Sequence, residues 1–167
     1  VETGEPDIMF GDTVQDALPE CQADKGLKVN HSNLCSEITL ATDEDRTAVC
    51  CLSSVNLEEY DEWRNDENFI PDLIRMLDNV ISYFVENAPP ELARAVYSAR
   101  NERSLGLGAM GFHAYLQRNN IPFESAMAKG ANMKMFKHIK SEALNATKTL
   151  AMERGEAPDA LGYGVRN

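Results

Sequence analysis

Between residues 70 and 84, Ile70, Leu73, Ile74, Leu77, Ile81 and Phe84 recur at intervals of three and four. That spacing draws one apolar stripe along a helix of about four turns. Asn68 and Pro71 suit its start, and Asn87, Pro89 and Pro90 end it. A one-sided helix must lay its stripe on a second layer. The candidates for that layer lie upstream. Ile8-Met9-Phe10 and Ile38-Thr39-Leu40 read as short strands, and Thr47 to Leu57, rich in Val, Cys, Ser and Leu, as a buried one. Residues 11 to 33 are polar and read as a long connection with one helical turn, and Asp43 to Arg46 as a turn. Downstream, helices are expected over 91–100, from Phe112 to Arg118, and from Glu124 to Glu153, with Gly155 just past the last. Gly106 to Gly111 reads as a glycine-rich break. The chain is therefore α/β. Two or three short strands do not make a stable sheet alone, so residues 1–167 are expected to be one part of a larger unit.

Charge narrows the partners. The 167 residues include 27 acidic and 16 basic ones, for a net charge of -11. Gripping nucleic acid needs a basic face, so no nucleic-acid role is expected. No apolar run approaches the roughly 20 residues that span a bilayer, so no membrane role is expected either. Neither Val1-Glu2-Thr3-Gly4 nor Gly162 to Asn167 reads as a natural end, and both are taken as truncations.

Four cysteines, Cys21, Cys35, Cys50 and Cys51, form no C-x-x-C pair and no secreted disulfide pattern. One of them stands in a distinctive setting, Asn33-Leu34-Cys35-Ser36-Glu37. In extended backbone alternate residues share a face. Asn33, Cys35 and Glu37 would then present an amide, a thiol and a carboxylate along a line about as long as a sugar ring. On spacing alone, a buried thiol where a loop enters a strand explains the segment as well or better. The adjacent Cys50 and Cys51 would face opposite ways on a strand, so at most one belongs with Cys35.

Three blocks together carry a resemblance. Ser32-Asn33-Leu34-Cys35-Ser36-Glu37-Ile38, then Ala48-Val49-Cys50-Cys51-Leu52-Ser53-Ser54-Val55-Asn56-Leu57, then Arg103-Ser104-Leu105-Gly106-Leu107-Gly108-Ala109-Met110-Gly111-Phe112 stand in order. The chain resembles the large, catalytic subunit of ribonucleotide reductases, most of all the class I enzymes, bacterial and phage forms included. The resemblance implies a ten-stranded α/β barrel with a central finger loop. It implies that Cys35 becomes a thiyl radical, that Glu37 takes the proton of the substrate 3'-hydroxyl, and that Asn33 hydrogen-bonds at the same ribose. Asn33, Leu34, Cys35, Ser36 and Glu37 would together touch substrate. Cys50 would be one half of a redox-active disulfide whose partner lies outside the segment. Cys21 and Cys51 match no catalytic cysteine.

The activity so implied is reduction of ribonucleoside diphosphates to deoxyribonucleotides, with the segment alone inactive. The implied partners are a radical-generating small subunit holding a metal-radical cofactor, thioredoxin or glutaredoxin, and a second large subunit. ATP and deoxynucleoside triphosphates would be effectors of the whole enzyme, with no cofactor or metal held by this segment. A cytoplasmic location in a bacterial or phage-infected cell would follow. The alternative inside the family is an adenosylcobalamin-dependent, class II reductase.

Other readings weigh less. Gly106-Leu107-Gly108-Ala109-Met110-Gly111 fits G-x-G-x-x-G, but no apolar strand precedes it as a dinucleotide fingerprint requires. His31, Cys35, Cys50 and Cys51 lack the spacing of a zinc site. The Met- and Ala-rich stretch Glu124 to Glu153 could be an interaction helix, although such a stripe is more often core.

Overall fold

The structure, a computed structural model, describes residues 8–167. The start at Val1-Glu2-Thr3-Gly4 lies outside the described residues. Two short helices come first, α1 (Gly11–Asp16) and α2 (Glu20–Asp24), followed by an irregular stretch that carries Asn33 to Glu37. Strand β1 (Cys51–Asn56), a short helix α3 (Tyr60–Trp63), the long helix α4 (Phe69–Asn87) and α5 (Ala93–Glu102) lead to strand β2 (Leu105–Met110). Helices α6 (Phe112–Arg118) and α7 (Ala126–Arg154) complete the order.

β1 and β2 pair in parallel, from Cys51 opposite Leu105 to Asn56 opposite Met110. Parallel neighbours need a crossover, and α3, α4 and α5 supply it. The stripe expected on α4 is what covers the strands: Ile70, Ile74, Leu77 and Ile81 are buried. Ile70 and Ile74 cluster with Val55, Leu57, Tyr60 and Trp63 from the β1 side and Met135, Ile139, Ala146 and Leu150 from α7, while Leu77 and Ile81 pack with Cys51 and Ala99. Burying each such Leu or Ile contributes about 1.5–3 kcal/mol, which outweighs the weak intrinsic preferences of short strands.

Local chemistry fixes the ends. Ser125 accepts a hydrogen bond from the Ala128 N–H at 3.1 Å and starts α7, and Gly155, at φ +88°, stops it. Gly111 turns β2 into α6 at φ +77°, and a Cβ there would collide with the Asn56 carboxamide.

Several expectations require correction. Residues 8–10 and 38–40 are irregular rather than strands, because neither has a ladder partner among the described residues. The strand read over Thr47 to Leu57 starts only at Cys51 and gives way to a 3₁₀ turn at Leu57. The polar connection contains two helices rather than one turn. The glycine-rich break is strand β2 itself. Gly106 and Gly108 suit it because a Cβ at Gly106 would strike the Leu52 side chain and one at Gly108 would lie 3.1 Å from Ser54 Oγ. The G-x-G-x-x-G run is thus inside a ladder, where it makes no phosphate-cradling loop.

Candidate active site

Asn33 organises the segment that carries Cys35. Its backbone N–H donates to the Ile38 carbonyl at 3.2 Å, and its own carbonyl accepts from the Ser36 N–H at 3.2 Å. Its side-chain carbonyl accepts from the Ile38 N–H at 3.0 Å, while its amide nitrogen donates to Glu37 Oε1 at 2.7 Å. The result is a tight turn, with Ser36 in the left-handed region at φ +65°. This corrects the extended reading of Asn33 to Glu37: the three side chains do not alternate along a strand. Asn33 and Glu37 meet directly, and Cys35 sits at the tip. Leu34 is 95% exposed and Cys35 is also exposed on this chain.

Beside this turn is a cleft of about 670 Å³ whose wall includes Asn33, Ile38, Leu40, Arg46, Thr47 and Cys50; Cys35 and Glu37 do not line it. Cys50 stands just before β1, and Cys51 is the first strand residue. They point apart as expected. Cys50 is exposed toward the cleft, whereas Cys51 is buried and its thiol donates to the Leu77 carbonyl at 3.6 Å. A void of about 50 Å³ touches both. Protein packed around the Cys50 sulfur pushes its thiol pKa up, and the Glu37 charge adds to the rise. Burial likewise pushes the Cys51 thiol up, followed by the charges of Cys50 and Asp78. Both cysteines are therefore thiols at neutral pH, and Glu37 is close enough to Cys50 for its charge to be felt.

Two buried ion clusters hold this arrangement, and neither stands out in the sequence. In the first, Arg46 Nη1 donates to Asp159 at 2.7 Å and to Glu102 at 3.1 Å, and Lys25 reaches Asp159 at 3.2 Å. The Arg46 guanidinium also lies over the Tyr97 ring, 5.3 Å from its centre. Burial raises the Glu102 pKa, and the nearby Arg46 offsets part of that rise. This cluster ties the segment leading to Cys50 onto α5 and the C-terminal turn. In the second, the fully buried Asp78 carboxylate accepts from Arg103, Arg154, Arg166 and Asn167. One sign was available: Asp78 is a charge inside the apolar stripe of α4. Its partners, 25 to 89 residues away, could not be read off.

Among the described residues, no three His, Cys, Asp or Glu side chains are gathered as a metal site. His31 and Cys50 line the same cleft, but no three of His31, Cys35, Cys50 and Cys51 are gathered as a metal site. No described helix is long and apolar enough to cross a membrane.

The sequence profile of the ribonucleotide reductase barrel domain matches residues 1–161. The chain belongs to the ribonucleotide reductase barrel family. It is 57% identical to a putative ribonucleoside-diphosphate reductase large subunit of Frog virus 3, over 99% of this chain and 30% of that protein. A ribonucleoside-diphosphate reductase large subunit of Invertebrate iridescent virus 3 is 52% identical over 99% of the chain and 26% of its own length. The alpha subunit of a class Id ribonucleotide reductase from Actinobacillus ureae superposes with a TM-score of 0.94 at 43% identity, covering 99% of this chain and 32% of that one. The α/β layering described above is thus one part of the family's barrel. The chain spans about 30% of the length of these relatives.

Proposed function

We propose that this chain is the portion of a ribonucleotide reductase catalytic subunit that carries the radical cysteine Cys35, the general base Glu37, the ribose-binding amide Asn33 and one redox thiol, Cys50. The observation that carries the reading is the turn itself. One asparagine closes the loop, holds the carboxylate at 2.7 Å and leaves a thiol at the tip, beside a cleft with a second thiol on its wall.

The chemistry follows from those groups. With its S–H hydrogen atom removed, the Cys35 sulfur takes the 3'-hydrogen of the ribose, since S–H and activated C–H bonds are of similar strength. Glu37 accepts the 3'-hydroxyl proton, and the neighbouring 2'-hydroxyl leaves, protonated, as water. Asn33 orients both the carboxylate and the sugar, and Leu34 and Ser36 contact substrate beside it. Cys50 and a partner thiol outside this segment supply two electrons and two protons as they become a disulfide. The Cys35 S–H then returns its hydrogen to C3'. The Cys50 thiol is kept protonated by the protein packed around it and by the Glu37 charge, which suits hydrogen donation. A metal-radical group in a separate small subunit would supply the one-electron oxidation of Cys35. The exposure of Cys35 here means that other parts of the subunit would shield it, as radical chemistry needs.

Ribonucleoside diphosphates are the proposed substrates. The names of the relatives, ribonucleoside-diphosphate reductases and a class Id alpha subunit, support a class I enzyme over a cobalamin-dependent one. The proposed partners are the small subunit, a thioredoxin or glutaredoxin, and a second large subunit. ATP and deoxynucleoside triphosphates are the proposed effectors, and the cytoplasm is the proposed location. Residues 1–167 act as a single part of one catalytic barrel.

Disulfide mapping tests the site. In the full-length enzyme, isolated without reductant after turnover, Cys50 is expected in a disulfide and Cys51 as a free thiol slow to alkylate. A disulfide at Cys51 with Cys50 free would turn the assigned face away from substrate.

A further inference from the structure

Cys50 is held from two directions. Downstream, the ladder of β1 begins at Cys51, opposite Leu105. Upstream, residues 38–50 join no ladder among the described residues. The backbone bonds that shape the upstream side are long: Asp43 and Arg46 exchange N–H to carbonyl bonds at 3.4 Å, and the Thr47 N–H reaches the Arg94 carbonyl at 3.4 Å. At that length each is weak. The short contact here is made by a side chain. Arg46, four residues before Cys50, donates through Nη1 to Asp159 Oδ2 at 2.7 Å and to Glu102 Oε1 at 3.1 Å. Hydrogen bonds between charged partners are the stronger kind. Both acceptors are themselves held: Lys25 donates to Asp159 at 3.2 Å, and Ser104 Oγ to Glu102 Oε2 at 3.3 Å. Glu102 ends α5 and Ser104 precedes β2, so Arg46 ties the approach to Cys50 to the strand that β1 pairs with. The side chains of Arg46, Glu102 and Asp159 are 6%, 2% and 8% exposed. Residues of this chain alone bury them, so the contact does not depend on the remainder of the subunit.

We propose that Arg46 is a positioning residue for Cys50, setting the thiol where it can close a disulfide during turnover. This rests on the redox role proposed for Cys50. A disulfide closes only when the two Cα atoms lie roughly 4.4–6.8 Å apart. The balance between dithiol and disulfide therefore depends on how narrowly each thiol is held. A buried ion cluster suits that task, because it adds little net stability yet permits few geometries. Arginine is specific here. Its guanidinium meets Asp159 and Glu102 while lying over the Tyr97 ring, 5.3 Å from the centre. A lysine would keep the charge and lose the planar group that does both. Arg46 also lines the cleft, but a substrate contact fits less well, since Nη1 is committed to Asp159 and Glu102.

The test uses the full-length subunit carrying Arg46→Lys, equilibrated in glutathione buffers of graded ratio. The fraction of Cys50 in its disulfide is read by acid quench, alkylation and peptide mapping, and substrate binding is measured on the same samples. The equilibrium is expected to move toward the dithiol by about tenfold, or roughly 30 mV for a two-electron couple. With a thioredoxin-type reductant kcat should fall while KM holds, as for a contact that matters after binding. Asp78→Asn, which disturbs the other buried cluster, should lower stability and leave the Cys50 equilibrium unmoved. Should Arg46→Lys lose its circular dichroism, Glu102→Gln reads the same shift by weakening one acceptor. An unchanged equilibrium in the folded variant, an equal shift in Asp78→Asn, or weaker substrate binding with no shift overturns the proposal and leaves the role of Cys50 intact. If wild-type Cys50 forms no disulfide at all, the redox reading itself fails, and the proposal with it.

Discussion

Replacing Asp78 by asparagine keeps the shape of the buried hub and removes its only negative charge. The carboxylate is fully buried and accepts from Arg103 at 2.6 Å, Arg154 at 2.7 Å, Arg166 at 3.0 Å and Asn167 at 2.9 Å. Burial alone would raise its pKa, but hydrogen bonds from Asn167, Arg103 and Arg166, with the Arg103 charge, prevail and lower it from 3.8 to about 2. A carboxyl with a depressed pKa stabilises the fold above its unfolded pKa, and that stabilisation fades as pH falls through the folded value. The shift corresponds to roughly 2 kcal/mol. Asp78→Asn also leaves three guanidinium groups gathered without a counter-charge, which costs about 3–5 kcal/mol where the groups are fully buried. Arg154 is 31% exposed, so the lower end applies. A loss of about 3 kcal/mol should lower the urea midpoint and the Tm of the full-length subunit. Urea and thermal unfolding, followed by circular dichroism from pH 7 to pH 2, should show wild type and variant far apart at neutral pH. The two should converge from pH 4 downward. A difference below about 1 kcal/mol at pH 7, or one independent of pH, would refute the hub as a stabilising centre.

Three further outcomes are expected. Glu37→Gln in the full-length enzyme should retain the turn, because the amide can still accept from Asn33, while deoxynucleotide formation slows by on the order of 10² to 10⁴; an unchanged steady-state rate would make Glu37 structural only. Gly111→Ala should lower stability by more than about 1 kcal/mol in urea unfolding, because φ +77° and the Asn56 carboxamide both oppose a Cβ. Cys51→Ser should stay active, and Cys50→Ser should lose multiple turnovers with a thioredoxin-type reductant; the reverse pattern in a coupled assay would exchange their roles.

The helices were legible wherever one face had to be buried. The α4 stripe, the start of α6 at Phe112 and the stop of α7 at Gly155 follow from periodicity and capping. The strands were less so, because a strand exists only with a partner. Gly106 to Gly111 reads as a break, yet Gly106 and Gly108 are what allow β2 to lie against Leu52 and Ser54. Ile38 to Leu40 reads as a strand and remains irregular without a ladder. At the site, residue types were visible and geometry was not. Asn33 hydrogen-bonds Glu37 because a turn, rather than an extended run, brings them together, and no spacing rule contains the Ser36 φ of +65°. The buried clusters around Asp78 and Arg46 were hidden because each unites residues dozens of positions apart.

The central claim is that Cys35 is the residue through which the radical acts. Cys35→Ser in the full-length enzyme tests it most directly, since a serine fits the same exposed turn while its O–H bond is too strong to hold the radical. The account predicts no detectable deoxynucleotide and no release of hydrogen isotope from a substrate labelled at C3', with nucleotide binding near wild type. Measurable deoxynucleotide formation by that variant would contradict it.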